Sequence, residues 1–204
     1  MLITQIEKYK GSTYSITFDH DKTIYIHSDV IYKFSLRINM DLSEDFFNEI
    51  IYFSEKRKAK ERALYLLDYR DHSYKELFVK LSKNYSDEIC YEIVNHFVSI
   101  GIINDKRYAE NLAKKYIEIK KYGFYKAKQE MYLKGIDKYT VEDALEIYKD
   151  NVELRILELI NKKYKKYLNS EDENSKYKLK NALVRQGYTY DEVNRAISMM
   201  DSTD

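Results

Sequence analysis

The segment KGIDKYTVEDAL, Lys134 to Leu145, lies over QGYTYDEVNRAI, Gln186 to Ile197, without a gap. Gly135 falls on Gly187, Val141 on Val193, Ala144 on Ala196 and Leu145 on Ile197. At the same offset of 52 residues, Ala127 meets Leu179 and Met131 meets Leu183. An earlier copy, Leu77, Leu81, Ile89 and Ile93, keeps this order after a small deletion in its turn. Repetition constrains a chain more than local propensity does, because one short unit cannot bury its own apolar face and must stack on its copies. The apolar spacing within a copy is three and four, which is helical. Three units of three helices, each near 50 residues, account for residues 57–201. Their stacking predicts an elongated, curved array.

Composition agrees with helices. The chain has 204 residues, no proline and 5 glycines, so little interrupts a helix once it starts. The first 40 residues read differently. Tyr14, Ile16 and Phe18 alternate with polar residues, Ile24 and Ile26 do so again, and Asp19-His20-Asp21 supplies a turn between the two runs. With a first strand from Ile3 to Lys8 and a turn at Lys10-Gly11-Ser12, this predicts a three-stranded antiparallel ribbon. Ser28 looks like the N-cap of a short helix carrying Val30, Ile31 and Phe34. From Ser43 the period turns helical to about Arg70, as one long helix or two abutting ones. Ser73-Tyr74-Lys75-Glu76 has the form of a capping box, in which Ser73 accepts from the third amide and Glu76 reaches back. The fold class is therefore mainly α. A strand-rich extension with a short helix occupies residues 1–42, a linking helix and the first repeat 43–104, the second repeat 105–150 and the third 151–204.

No residue pattern announces catalysis. His20, His27, His72 and His96 are scattered, and with one cysteine, Cys90, they form no HxxxH or CxxC spacing, so no metal site is expected. Phosphate-cradling glycine loops are missing, and no cofactor is expected. Cys90 sits on a predicted helix between Ile89 and Ile93 with no base one turn away, which suits a structural thiol. Paired carboxylates such as Glu44-Asp45 and Glu142-Asp143 suit first turns of helices. The lone cysteine fits a reducing cytosol, and no apolar run approaches the roughly 18 residues of a membrane helix. A cytoplasmic, non-enzymatic monomer with no membrane contact is expected.

Charge is balanced overall, with 35 Lys and Arg against 34 Asp and Glu, which disfavours a general polyanion binder. Locally it is not. Residues 105–138 hold ten cations against five acids, and Arg107, Lys114, Lys121 and Lys128 recur every seventh residue, with Lys115, Lys120 and Lys126 beside them. Tyr116, Tyr122 and Tyr125 are interleaved, a mixture that suits single-stranded nucleic acid. Solvated helix surface explains such lysines equally well. Lys56 to Arg62 and Lys162 to Lys166 carry the same ambiguity.

Two stretches resemble a known family. ALYLLDYRDHSYKELFVKLSKNY, Ala63 to Tyr85, is similar to the opening signature of RecX proteins, and Gly101 to Ile136 resembles their central signature, with its D-x-x-Y-A element at Asp105, Tyr108 and Ala109. The N-terminal strands and short helix resemble the extension of the family's longer members. The resemblance implies three tandem three-helix units and a regulator that binds the RecA recombinase filament. By family default it would restrain ATP hydrolysis, strand exchange or filament growth, although some members act in the opposite sense. It also implies single- or double-stranded DNA as a further contact. On that footing Lys114, Lys115, Lys121 and Lys128, with Arg70, are expected to meet acidic RecA surface or DNA, and Arg107, Lys120 and Lys126 complete the candidate set. The acidic segment NSEDENS, Asn169 to Ser175, departs from the family pattern. Two alternatives stay open on the residues alone: a helical-repeat adaptor for another protein, and a stand-alone single-stranded nucleic-acid-binding module.

Overall fold

The computed structural model of the chain describes residues 1–167 and 173–201. Strands β1 (Ile3–Lys10), β2 (Thr13–Phe18) and β3 (Thr23–His27) form one antiparallel sheet in the order β1-β2-β3. Its inner face buries Ile3, Ile16, Phe18 and Ile26. Helix α1 (Ser28–Phe34) adds Val30 to this core, and α2 (Glu44–Tyr69) adds Phe47 and Ile50, with Phe18 and Phe47 edge to face at 5.4 Å. The cap of α1 is one residue earlier than the sequence suggests. His27 is extended and its Nδ1 accepts the Asp29 amide at 3.1 Å, so Ser28 is already the first helical residue. The aspartates of the turn before β3 include Asp19, whose carboxylate accepts the Leu2 amide at 2.9 Å.

Helix α2 is continuous over 26 residues, capped by Ser43, whose Oγ accepts the Phe46 amide at 3.2 Å. Its buried stripe begins with Phe47, Ile50 and Ser54 and resumes, rotated, at Ala59 and Ala63. The first half therefore serves the sheet, and the second opens the first repeat.

Helices α3 (Tyr74–Leu81) and α4 (Asp87–Ser99) follow, then α5 (Asp105–Lys114), α6 (Phe124–Leu133) and α7 (Lys138–Glu146), then α8 (Val152–Leu159), α9 (Glu173–Arg185) and α10 (Tyr190–Asp201). The repeat positions read from the sequence are core positions here. Ala127, Met131, Val141, Ala144 and Leu145 are buried in one cluster, and Leu179, Leu183, Val193 and Ala196 in another, with Ile197 packed against it. Even an irregularity repeats: α5 and α8 each run into a five-residue π turn, Lys115–Ile119 and Ile160–Tyr164. Of the acidic segment, residues 169–172 lie outside the described residues, and Glu173 to Ser175 open α9.

By contacts the chain divides into two compact units, one of residues 1–70 and 78–96, the other of residues 71–77 and 97–204. Among the described residues, no helix is long and apolar enough to cross a membrane. Cys90 is fully buried, and burial pushes its thiol pKa up.

Candidate partner-binding surface

Seven of the eight candidate cations belong to the second repeat, in the second unit; Arg70, the C-cap of α2, belongs to the first. Lys114 and Lys115 are exposed where α5 passes into its π turn, and among the described residues neither has an anionic partner. Lys120 is exposed too. Arg107, in the first turn of α5, is exposed and donates to the Ile102 carbonyl at 3.3 Å. Lys121 and Lys128 are different. Lys121 Nζ meets the Glu158 carboxylate at 2.5 Å, and Lys128 meets Glu142 at 3.5 Å.

The seven-residue spacing therefore does not mark one face. The π turn widens the helix after Lys114, and Lys121 takes a left-handed backbone at φ +56° before α6 begins. Helical phase is lost between the two lysines, so equal spacing places them in unlike surroundings.

The aromatic platform suggested by the tyrosines is largely spent inside the fold. Tyr116 is 3% exposed and stacks on Tyr122, with centroids 5.8 Å apart and planes 19° apart. Lys120 and Lys126 lie 5.3 and 4.2 Å from the Tyr122 ring centre, an arrangement that holds both ammonium groups close to the repeat surface. Tyr125 is the exposed member of the three, at 69%.

Polar residues from the two signature stretches converge in the second unit. Ser73 Oγ accepts the Glu76 amide at 3.0 Å, as a cap should, and donates to the carbonyl of Lys134. Asp105 accepts the Tyr74 amide at 2.8 Å. The Glu76 carboxylate receives Tyr108 Oη at 3.3 Å and Lys134 Nζ at 3.4 Å. Burial is the main reason the Asp105 carboxyl is raised above its ordinary range, with Asp137 and Glu76 adding to it while the Tyr74 amide opposes. Beside this cluster, the left-handed Gly135 at φ +77° receives the Lys75 stem; a Cβ on the glycine would sit 2.7 Å from Lys75 Cβ.

The same joint recurs one repeat on. Gly123 donates to the Gln186 carbonyl at 2.8 Å and Tyr125 to the Gly187 carbonyl at 3.3 Å. Gly187, at φ +95°, receives the first turn of α6, and its missing Cβ would stand 2.5 Å from Lys126 Cβ. In both joints the first turn of a repeat's middle helix brings its unsatisfied amides or cap onto the glycine turn of the following repeat. Sequence reading marked both glycines through the repeat but gave them no task. Their shared signal was that each stands just beyond a helix end and six residues before a buried valine, Val141 or Val193.

Matches to known proteins follow this division. Residues 59–97, 104–145 and 154–197 match the first, second and third three-helix domains of RecX. The chain is 27% identical over 202 residues to regulatory protein RecX of Clostridioides difficile (strain 630), covering 98% of this chain and 95% of that one. It is 30% identical over 198 residues to regulatory protein RecX of Lactococcus lactis subsp. lactis (strain IL1403), covering 92% of this chain and 72% of that one. The chain belongs to the RecX family. A solved RecX from Lactobacillus salivarius, 30% identical, superposes with a TM-score of 0.65 over 72% of this chain and 97% of that one. A second RecX crystal structure, 22% identical, has the same fold at a TM-score of 0.70, covering 97% of this chain and 98% of that one. The joints described above thus sit at the meeting of consecutive RecX domains.

Proposed function

We propose that this RecX-family chain is a cytoplasmic, monomeric, non-catalytic regulator that binds the RecA recombinase filament on DNA and restrains its ATP hydrolysis, strand exchange or growth. The observation that carries the binding surface is the group Lys114, Lys115 and Lys120, exposed cations that no carboxylate within the described fold neutralises. Cations already paired inside the fold must break that pair before they meet a partner; these three need not. Repeats in series then let several individually weak contacts act together on successive filament subunits, which raises affinity through effective concentration rather than through any one strong site. A protein held this way obstructs subunit rearrangement and duplex access without chemistry of its own.

The test is to add the purified protein to RecA assembled on single-stranded DNA and follow ATP hydrolysis and filament length. A fall in both at stoichiometric protein is the expected result, and no effect overturns the reading. The exposed Tyr125 beside Lys126 favours direct contact with single strands as a second reading. Tight, steeply salt-dependent binding to bare DNA would support that one.

A further inference from the structure

Lys121 was singled out by its spacing as a contact residue, yet its surroundings give it a different task. Its backbone is held left-handed at φ +56°, a conformation uncommon for a side chain with a Cβ. Its carbonyl accepts the hydroxyl of Tyr188 at 3.0 Å, and Tyr188 is only 3% exposed. Its ammonium meets Glu158 of α8 at 2.5 Å. Both partners belong to the third repeat. Two residues along, Gly123 makes the backbone contact to Gln186 that seats α6 on the Gly187 turn. Lys121 is therefore gripped by the neighbouring repeat at main chain and side chain, at the point where the second repeat's own helical phase breaks.

We propose that Lys121 is a positioning residue: it locks the second repeat to the third and fixes the angle at which the two meet a partner, instead of touching the partner itself. An ammonium that holds Glu158 is not available to an outside carboxylate or phosphate unless the joint gives way. The backbone half of the lock constrains the residue where the chain turns from the π turn into α6, so a change in the grip is transmitted to the first turn of α6 and its seat on Gly187. The effect on filament binding rests on the function proposed above; the lock itself does not.

Two measurements keep those apart. Spin labels at Gln129→Cys on α6 and Lys178→Cys on α9, both exposed positions, report the distance between the repeats in the protein alone, with buried Cys90 left in place. K121E and E158K should each broaden that distance distribution, and the charge swap K121E/E158K should restore it. Y188F, which keeps the ring and removes the hydroxyl, should broaden it as well. In filament binding, K121E and E158K should each lose about fivefold and the swap should return to within about twofold of the native protein, the size expected when a partly exposed attraction becomes a repulsion. A contact role gives another pattern: K121E weak, E158K normal or tighter, the swap as weak as K121E, and an unchanged distance distribution throughout. That pattern overturns the proposal. A native protein with no effect on RecA would overturn the proposed partner only, since the label distances still decide the lock.

Discussion

Tyr108 donates its hydroxyl to the Glu76 carboxylate across 3.3 Å, joining the first helix of the second repeat to the first turn of α3. The contact links residues 32 apart in sequence, and Tyr108 is 9% exposed, so neither group exchanges freely with water. Y108F should lower stability by about 1 kcal/mol, the usual net worth of one such hydrogen bond, because Lys134 still serves Glu76. E76A should cost more, since it removes the acceptor that serves both the Tyr108 hydroxyl and the Lys134 ammonium. Urea unfolding of the two variants and their double mutant measures the coupling, and additive losses would contradict it.

Three glycines separate backbone strain from crowding. A Cβ at Gly101 meets nothing within 4 Å but would occupy φ +74°, so G101A should cost only the left-handed penalty, about 1 kcal/mol. Gly123 has an ordinary φ of −72°, yet its Cβ would lie 2.2 Å from the Gly187 carbonyl oxygen. Gly187 combines both problems, with a left-handed φ and a Cβ 2.5 Å from the backbone of Lys126. Thermal melts should rank G187A below G123A and G123A below G101A; a G187A protein as stable as G101A would show that the joint is slack.

The repeat was readable because burial acts on spacing: Ala127, Met131, Val141 and Leu145 share one core, so selection of apolar residues leaves a period behind. The joints were not readable. Glu76 looked like half of a capping box reaching back three residues, and the structure brings it Lys134 from 58 positions away. Lys121 and Lys128 looked like continuations of Lys114, but a π turn and one left-handed residue intervene, and no spacing rule carries phase across such a break. The acidic partners that neutralise them, Glu158 and Glu142, come from other helices. Sequence patterns report which side chains leave water; they do not report which charge will face which.

Asp105 makes a prediction about pH. Burial raises its folded-state pKa above the ordinary 3.8, so the fold holds that proton more tightly than the unfolded chain does. Stability from this group is therefore greatest in acid and falls as pH rises from about the unfolded value through the folded one. Glu158 contributes with the opposite sign: Lys121 holds its carboxyl below the ordinary 4.5, and that stabilisation is lost as pH falls through the lowered value. D105N keeps an acceptor for the Tyr74 amide and removes the titration. Its stability relative to the native protein should rise from about pH 4 through the raised folded value and then level off in chemical unfolding series, and a difference independent of pH would refute the assignment.

The exposed cations are the residues through which partner binding should be lost without loss of fold. Lys114 and Lys115 have no anionic partner among the described residues, so reversing them breaks no internal ion pair; Lys120 gives up only its contact with the Tyr116 and Tyr122 rings. K114E/K115E/K120E should keep the native helical signal and melt within a few degrees of the parent, because changes at exposed sites away from internal partners usually stay within about 0.5 kcal/mol each. Affinity for the RecA filament should nevertheless fall at least tenfold, and the salt dependence of whatever binding remains should flatten as charge contacts are removed. K128E supplies the contrast. It places a carboxylate against Glu142 within the second repeat, so it should lower stability first and binding only through that loss. Filament affinity unchanged in the triple variant, with its fold intact, would remove this face of the second repeat from the interface.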